Sequence, residues 1–167
     1  RNADFEDFQM AIMRSKNLDG GKKGVPPLIA AIEENKIKEA RELLLLGANV
    51  NGKAGKYIPV ASAAKHNRIE IMKILIKWVP DINSRDSQEL SASDYALSNR
   101  NNQMLELIMQ CGADLSSALC TAARTNDMEY VRYFIQRGVN VHCTYKEYTP
   151  IYYANEFRNE DIVFYLL

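Results

Sequence analysis

Helical spacing of apolar residues is clearest at Ile69, Ile71, Met72, Ile74, Leu75 and Ile76, which predict an amphipathic helix with one core-facing side. A comparable run, LLLLGANVN at 43–51, stops at Gly47, where glycine accepts the left-handed backbone that ends a helix. Gly112-Ala113-Asp114-Leu115 and Gly138-Val139-Asn140-Val141 restate that ending, and Asp81-Ile82-Asn83 restates Asn49-Val50-Asn51. Ahead of each helix lies a shorter segment rich in alanine: PPLIAA (26–31), IPVASAA (58–64), SASDYA (91–96), SALCTAA (117–123) and TPIYYA (149–154).

Pro27 returns as Pro59 and Asn35 as Asn67 at the same interval, so the chain is an internal repeat. Each unit predicts the same local structure. Pro27, Pro59 and Pro150 fall in the first turn of a short helix, where a missing N–H costs nothing. Ser91 and Thr149 are the expected N-caps of their helices. Ala31, Ala63, Ala96, Ala122 and Ala154 mark a small-residue face that lets helices approach closely. Asn35, Asn67, Arg100, Asn126 and Arg158 form a polar break, after which the second, amphipathic helix begins.

These units resemble ankyrin repeats, whose pattern of about 33 residues is matched in pieces by all five copies. The resemblance implies an all-α solenoid of stacked helix-turn-helix units joined by β-hairpin-like finger loops. It divides the chain into an outer-helix remnant at 4–19 and repeats at 20–51, 52–83, 84–116, 117–142 and 143–167, as one domain. Both ends look open, with Phe5 and Phe8 on a helix lacking its partner, so further repeats or domains are expected in a longer chain. Two departures stand out. Val79-Pro80 replaces the glycine ending, which predicts an extended Val79, no left-handed cap, and a bend in the stack. In the fourth unit ADLSSALC (113–120) leaves almost no room for a finger.

The resemblance also assigns surfaces. Fingers and first helices form the concave side, with Tyr57, Lys65, His66, Tyr95, Asn99, Arg124, Tyr145, Tyr148, Tyr153 and Phe157 as expected protein-binding residues. Tyrosine and phenylalanine at solvent-facing positions make strong anchors. Packing within the repeats is the competing expectation for Tyr95, and packing against a missing sixth repeat for the C-terminal aromatics. Arg85, Asp86 and Glu89 are placed on the third finger. On the back, Leu45, Leu46 and Trp78 occupy positions normally polar, forming a second candidate interface.

Lys+Arg and Asp+Glu are both 21, and the concave charges alternate in sign, which argues against a phosphate-tracking nucleic-acid groove. No apolar run approaches the ~20 residues of a membrane helix. The three cysteines, Cys111, Cys120 and Cys143, are odd in number and widely spaced, as in a reduced, intracellular protein. LDGGKKGVPP (18–27) lacks the Ser/Thr of a phosphate loop. His66 and His142 lie in different units, and His142-Cys143 has no metal-ligand spacing around it. No catalytic set, metal site or cofactor is expected. The implied function is binding of a protein partner. The alternatives are a regulatory or targeting arm of a multidomain enzyme or pathogen effector, and a structural spacer.

Overall fold

The computed structural model describes residues 24–52 and 56–167. The expected remnant at 4–19, the start of the first repeat and Lys53 lie outside the described residues. Among the described residues, five helix pairs follow in order. They are α1 (Pro27–Glu33) with α2 (Ile37–Leu45), α3 (Pro59–Lys65) with α4 (Ile69–Ile76), and α5 (Ala92–Ser98) with α6 (Asn102–Met109). Then come α7 (Ser116–Arg124) with α8 (Met128–Gln136), and α9 (Pro150–Glu156) with α10 (Glu160–Leu166). They fall into two compact units, one ending at Gly112 and the other running from Ala113 to Leu167.

The first helix of each pair starts and stops for local reasons. Proline occupies the first turn of α1, α3 and α9. Ser91 caps α5 in a reciprocal capping box with Asp94, and the Thr149 side chain accepts from the Tyr152 N–H. All five polar breaks carry a left-handed backbone: Asn35, Asn67, Arg100, Asn126 and Arg158 have φ of 58°, 56°, 51°, 59° and 57°. Asparagine tolerates that region and arginine does so less readily. The return is the same at each. The next residue's N–H bonds the carbonyl of Ala31, Ala63, Ala96, Ala122 or Ala154, closing a Schellman-type end. Those five alanines are all buried, so one small residue serves both close packing and helix termination.

The second helices supply most of the large core. Leu43 and Leu44 of α2, Ile71, Met72 and Leu75 of α4, and Met104, Leu105 and Ile108 of α6 fill the first unit; Val131 and Phe134 of α8 with Ile162 of α10 fill the second. The leucine run thus divides as its helix demands: Leu43 and Leu44 are inside, Leu45 is 63% exposed, and Leu46 is only partly exposed at the C-cap. One expectation is overturned. Val79 is not extended but left-handed, with φ of 52°, in the place that Gly47, Gly112 and Gly138 hold elsewhere. Its N–H still bonds Ile76 O at 3.0 Å, so the cap forms despite the β-branched side chain. The helix-end hydrogen bonds outweigh the local steric cost of ~1–2 kcal/mol.

Within each unit, repeats are joined at the C-terminal ends of the first helices, where carbonyls would otherwise be unpaired. Arg68 donates to Ile32 O at 3.2 Å and Glu33 O at 2.6 Å. Asn99 donates to Ala64 O and Lys65 O, each at 3.0 Å. In the second unit Asn159 donates to Ala123 O at 2.7 Å and Arg124 O at 3.0 Å. Each donor belongs to the repeat that follows its acceptors.

Candidate functional site

In the third and fifth repeats the loops before the first helices are fingers held by identifiable bonds. In the third repeat, Asp86 N–H bonds Leu90 O and Glu89 N–H bonds Asp86 O, with Glu89 left-handed at φ 61°. Arg85 and Asp86 do not project into solvent as free charges. Arg85 reaches the Asp94 carboxylate at 3.0 Å, and Asp86 accepts from the Tyr95 hydroxyl at 2.6 Å. The finger is thereby clasped to α5 by two neighbouring residues on each side.

Tyr95 therefore departs from its expected role as an exposed contact. It is 8% exposed, and its hydroxyl, also within 3.2 Å of Gln88 Oε1, braces the finger from behind. Burial first, then the Asp86 carboxylate, pushes its pKa well above the ordinary phenol value. Lys65 lies over the same ring at 5.6 Å from its centroid. Asn99, another expected contact, spends its amide on the inter-repeat joint, though the residue remains exposed.

Between the fingers and first helices of the first unit lies an open cleft of about 260 Å³, lined among others by Glu33, Tyr57, Ser62, Lys65, His66 and Asp86. The cleft brings together Tyr57, Lys65 and His66. Lys56 sits over the Tyr57 ring at 5.2 Å. The Ser62 hydroxyl is shielded from solvent and has no hydrogen-bond partner. The lining mixes both charge signs with hydroxyl and amide groups, and its volume is below the ~300–1,000 Å³ of usual small-molecule pockets.

The second unit gathers aromatics. In its finger, Tyr145 and Tyr148 pair as an antiparallel bridge, each N–H bonding the other's carbonyl at 2.9 and 3.1 Å. Lys146 and Glu147 turn the hairpin with both backbones left-handed, φ 49° and 70°, the signature of a type I′ turn. Tyr148 stacks on Tyr152, ring centroids 4.2 Å apart and 16° between planes, and Tyr153 meets both edge-on. The Tyr153 hydroxyl donates to Tyr145 O at 3.0 Å, so this residue ties α9 to the finger. Phe157, 52% exposed, lies beneath the Arg124 guanidinium at 5.8 Å. Tyr148, Tyr152 and Phe157 are all exposed.

Tyr152 was not among the expected contacts. Its partner in the stack comes from a finger whose path the sequence pattern does not specify, and only the adjacent Tyr152-Tyr153 pair signalled an aromatic excess. In the fourth repeat no finger forms: α7 begins at Ser116, whose N–H and hydroxyl both bond Asp114 Oδ1, at 2.9 and 2.6 Å. In the first unit, Leu45, Trp78 and Val79 are exposed. The 32-residue interval puts Leu46 and Trp78 at equivalent positions of their repeats.

Among the described residues, no cluster of three or more His, Cys, Asp or Glu is placed to hold a metal ion, and no helix is long and apolar enough to cross a membrane.

Comparison with known families agrees with this architecture. Residues 89–167 match the model for ankyrin repeats (3 copies). A protein of Borreliella burgdorferi (strain B31) whose name describes it as an ankyrin repeat protein is 36% identical over 76 residues, 46% of this chain. The chain spans about a third of the length of that relative, 34%. Over residues 89–167 the chain is thus similar to ankyrin repeats, and its fold is an all-α repeat solenoid. Ankyrin repeats are generally protein–protein interaction modules and are typically non-catalytic.

Proposed function

We propose that this chain binds a protein partner through its fingers and first helices, with the aromatic cluster of the second unit as the main anchor. The observation that carries the reading is the stacked, exposed Tyr148–Tyr152 pair beside the exposed Phe157. Aromatic rings already held by one another lose little freedom on binding, and such residues dominate interface energetics at ~2 kcal/mol or more each. The small polar cleft of the first unit, with the unpartnered Ser62 hydroxyl, suits polar side chains of a polypeptide better than a cofactor.

The test is affinity capture from lysate with the unmodified chain and two double variants. Tyr152→Ala with Phe157→Ala removes the anchor but spares Tyr153, whose hydroxyl holds the finger. Leu45→Glu with Trp78→Ser alters the back. Loss of a specific partner with the aromatic variant alone supports the reading, provided helical content is unchanged. Loss with the back variant alone moves the interface to Leu45 and Trp78. Absence of any specific partner for the unmodified chain refutes it in favour of a spacer.

A further inference from the structure

Within the second unit, accessible aromatic rings serve as seats for the chain's own cations. Arg137 lies over Tyr133 at 3.6 Å from the ring centroid, and Arg132 over Tyr165 at 5.4 Å. Lys146 lies over Tyr145 at 5.4 Å and Arg124 over Phe157 at 5.8 Å. In each case the negative face of the ring draws the charge. Phe164 shares a groove with Arg132. The Tyr148–Tyr152 stack is different. Both rings are exposed, yet among the described residues no lysine or arginine lies over either.

That stack has a carboxylate beside it instead. Glu156 follows Tyr152 by four residues on α9, which places the two side chains on one face of the helix. Its charge is the largest influence raising the Tyr152 phenol above its ordinary pKa, as that proximity requires. Glu156 is exposed and, among the described residues, forms no ion pair. The two rings, 4.2 Å apart and 16° from parallel, cover one face of each other and leave an outer face on each. Tyr153 meets both edge-on, and its hydroxyl is tied to Tyr145 O, so the arrangement is set before anything binds. Arg124 and Lys146, the cations on the neighbouring Phe157 and Tyr145, are each already seated on a ring.

We propose that the Tyr148–Tyr152 stack and Glu156 form a seat for an arginine side chain of the partner polypeptide. The guanidinium lies on an outer ring face and donates to the Glu156 carboxylate. Ring and carboxylate both attract a cation, and a flat, weakly hydrated guanidinium can stack on one while its edge bonds the other. An ammonium is a compact, strongly hydrated point charge and matches that pair less well. This inference rests on the binding reading for the partner's being a polypeptide, and adds the chemistry by which that partner is recognised.

The probe is an end-blocked Gly-Ser-Arg-Ser-Gly peptide, titrated into the isotopically labelled chain and followed by NMR. Matched peptides carry lysine, citrulline or leucine in place of arginine. The arginine peptide should shift the ring resonances of Tyr148 and Tyr152 saturably. Citrulline, which keeps the shape and loses the charge, should bind ~5-fold more weakly. Glu156→Gln should weaken the arginine peptide ~3-fold. Tyr152→Phe keeps the ring face and should bind as the parent does, whereas Tyr152→Leu should not bind. If Tyr152→Leu loses helical content, the citrulline and Glu156→Gln comparisons decide. Equal binding of arginine and citrulline, tighter binding of leucine, indifference to Glu156→Gln, or no saturable shift at the two rings would each overturn the proposal. Its failure is separable from that of the binding reading. If Tyr152→Ala with Phe157→Ala loses the captured partner while arginine and citrulline bind alike, the anchor stands and the arginine seat falls. If that double variant keeps its partner, the anchor reading falls, and the peptides still decide the seat.

Discussion

The Tyr95 hydroxyl donates to the Asp86 carboxylate at 2.6 Å, fastening helix α5 to the finger in front of it. Tyr95→Phe removes this bond and keeps the packed ring. A hydrogen bond to a charged group is worth about 1.5–3 kcal/mol; the lower end is expected, because Asp86 keeps the N–H groups of Gln88 and Leu90. The pH dependence has a definite sign. The folded state raises the Tyr95 pKa, so its stabilising contribution is complete below the ordinary phenol value of about 10 and is lost as pH rises above it. Urea midpoints at pH 7 and pH 11 should converge between variant and parent at the higher pH. A constant difference would show that ionisation of Tyr95 is not involved.

Val79→Gly should stabilise the protein. The left-handed backbone at Val79, φ 52°, costs a β-branched residue ~1–2 kcal/mol, and glycine returns ~0.5–1 of that through the unfolded chain. Because Val79 is exposed, no packing is lost. A thermal melt should shift upward by a gain of about 0.5–1 kcal/mol. A lower melting temperature would mean that the valine side chain has a packing role its exposure does not reveal.

The Lys146-Glu147 turn invites a similar change. Both residues are left-handed, and Asn-Gly is the pair that a type I′ turn prefers. Lys146→Asn with Glu147→Gly should firm the finger that carries Tyr145 and Tyr148. Amide hydrogen exchange at those two residues, whose N–H groups close the hairpin, should slow several-fold. Unchanged exchange would place the weak point of the finger elsewhere.

Asn159→Asp should destabilise the second unit by about 1–3 kcal/mol. The substitution keeps the shape but replaces a donor with a carboxylate facing the carbonyls of Ala123 and Arg124. Chemical denaturation followed by helical signal measures the loss. A neutral result would mean that water closes those carbonyls equally well.

How much of this was legible depended on whether a residue's role is local. The breaks at Asn35 and Arg158, the caps at Ser91 and Thr149, and the small-residue face at Ala63 are set by the backbone within one helix, and repetition exposed them. Tyr95 and Tyr152 were harder, since each is defined by a finger residue, Asp86 or Tyr148, whose approach depends on turn geometry. At Val79 the bias that Pro80 places on its neighbour is overridden by the helix-end hydrogen bonds that oppose it. The expected contact residues divide likewise. Phe157 and Tyr148 lie exposed as their positions suggested, while Tyr95 and Tyr153 are turned to the scaffold by hydroxyl bonds that periodicity cannot register.

The joints between repeats bear on how such a chain diverges. Arg68, Asn99 and Asn159 do the same work from different side chains, and Asn99 from a different place in its unit. What each joint requires is a donor that reaches two neighbouring carbonyls, whichever residue supplies it. A duplicated block brings its own exposed carbonyls and its own donor, so it can be inserted without leaving an unmet polar group. Selection then acts on reach and not on letter identity, and copies can drift apart in sequence while the seam between them stays closed.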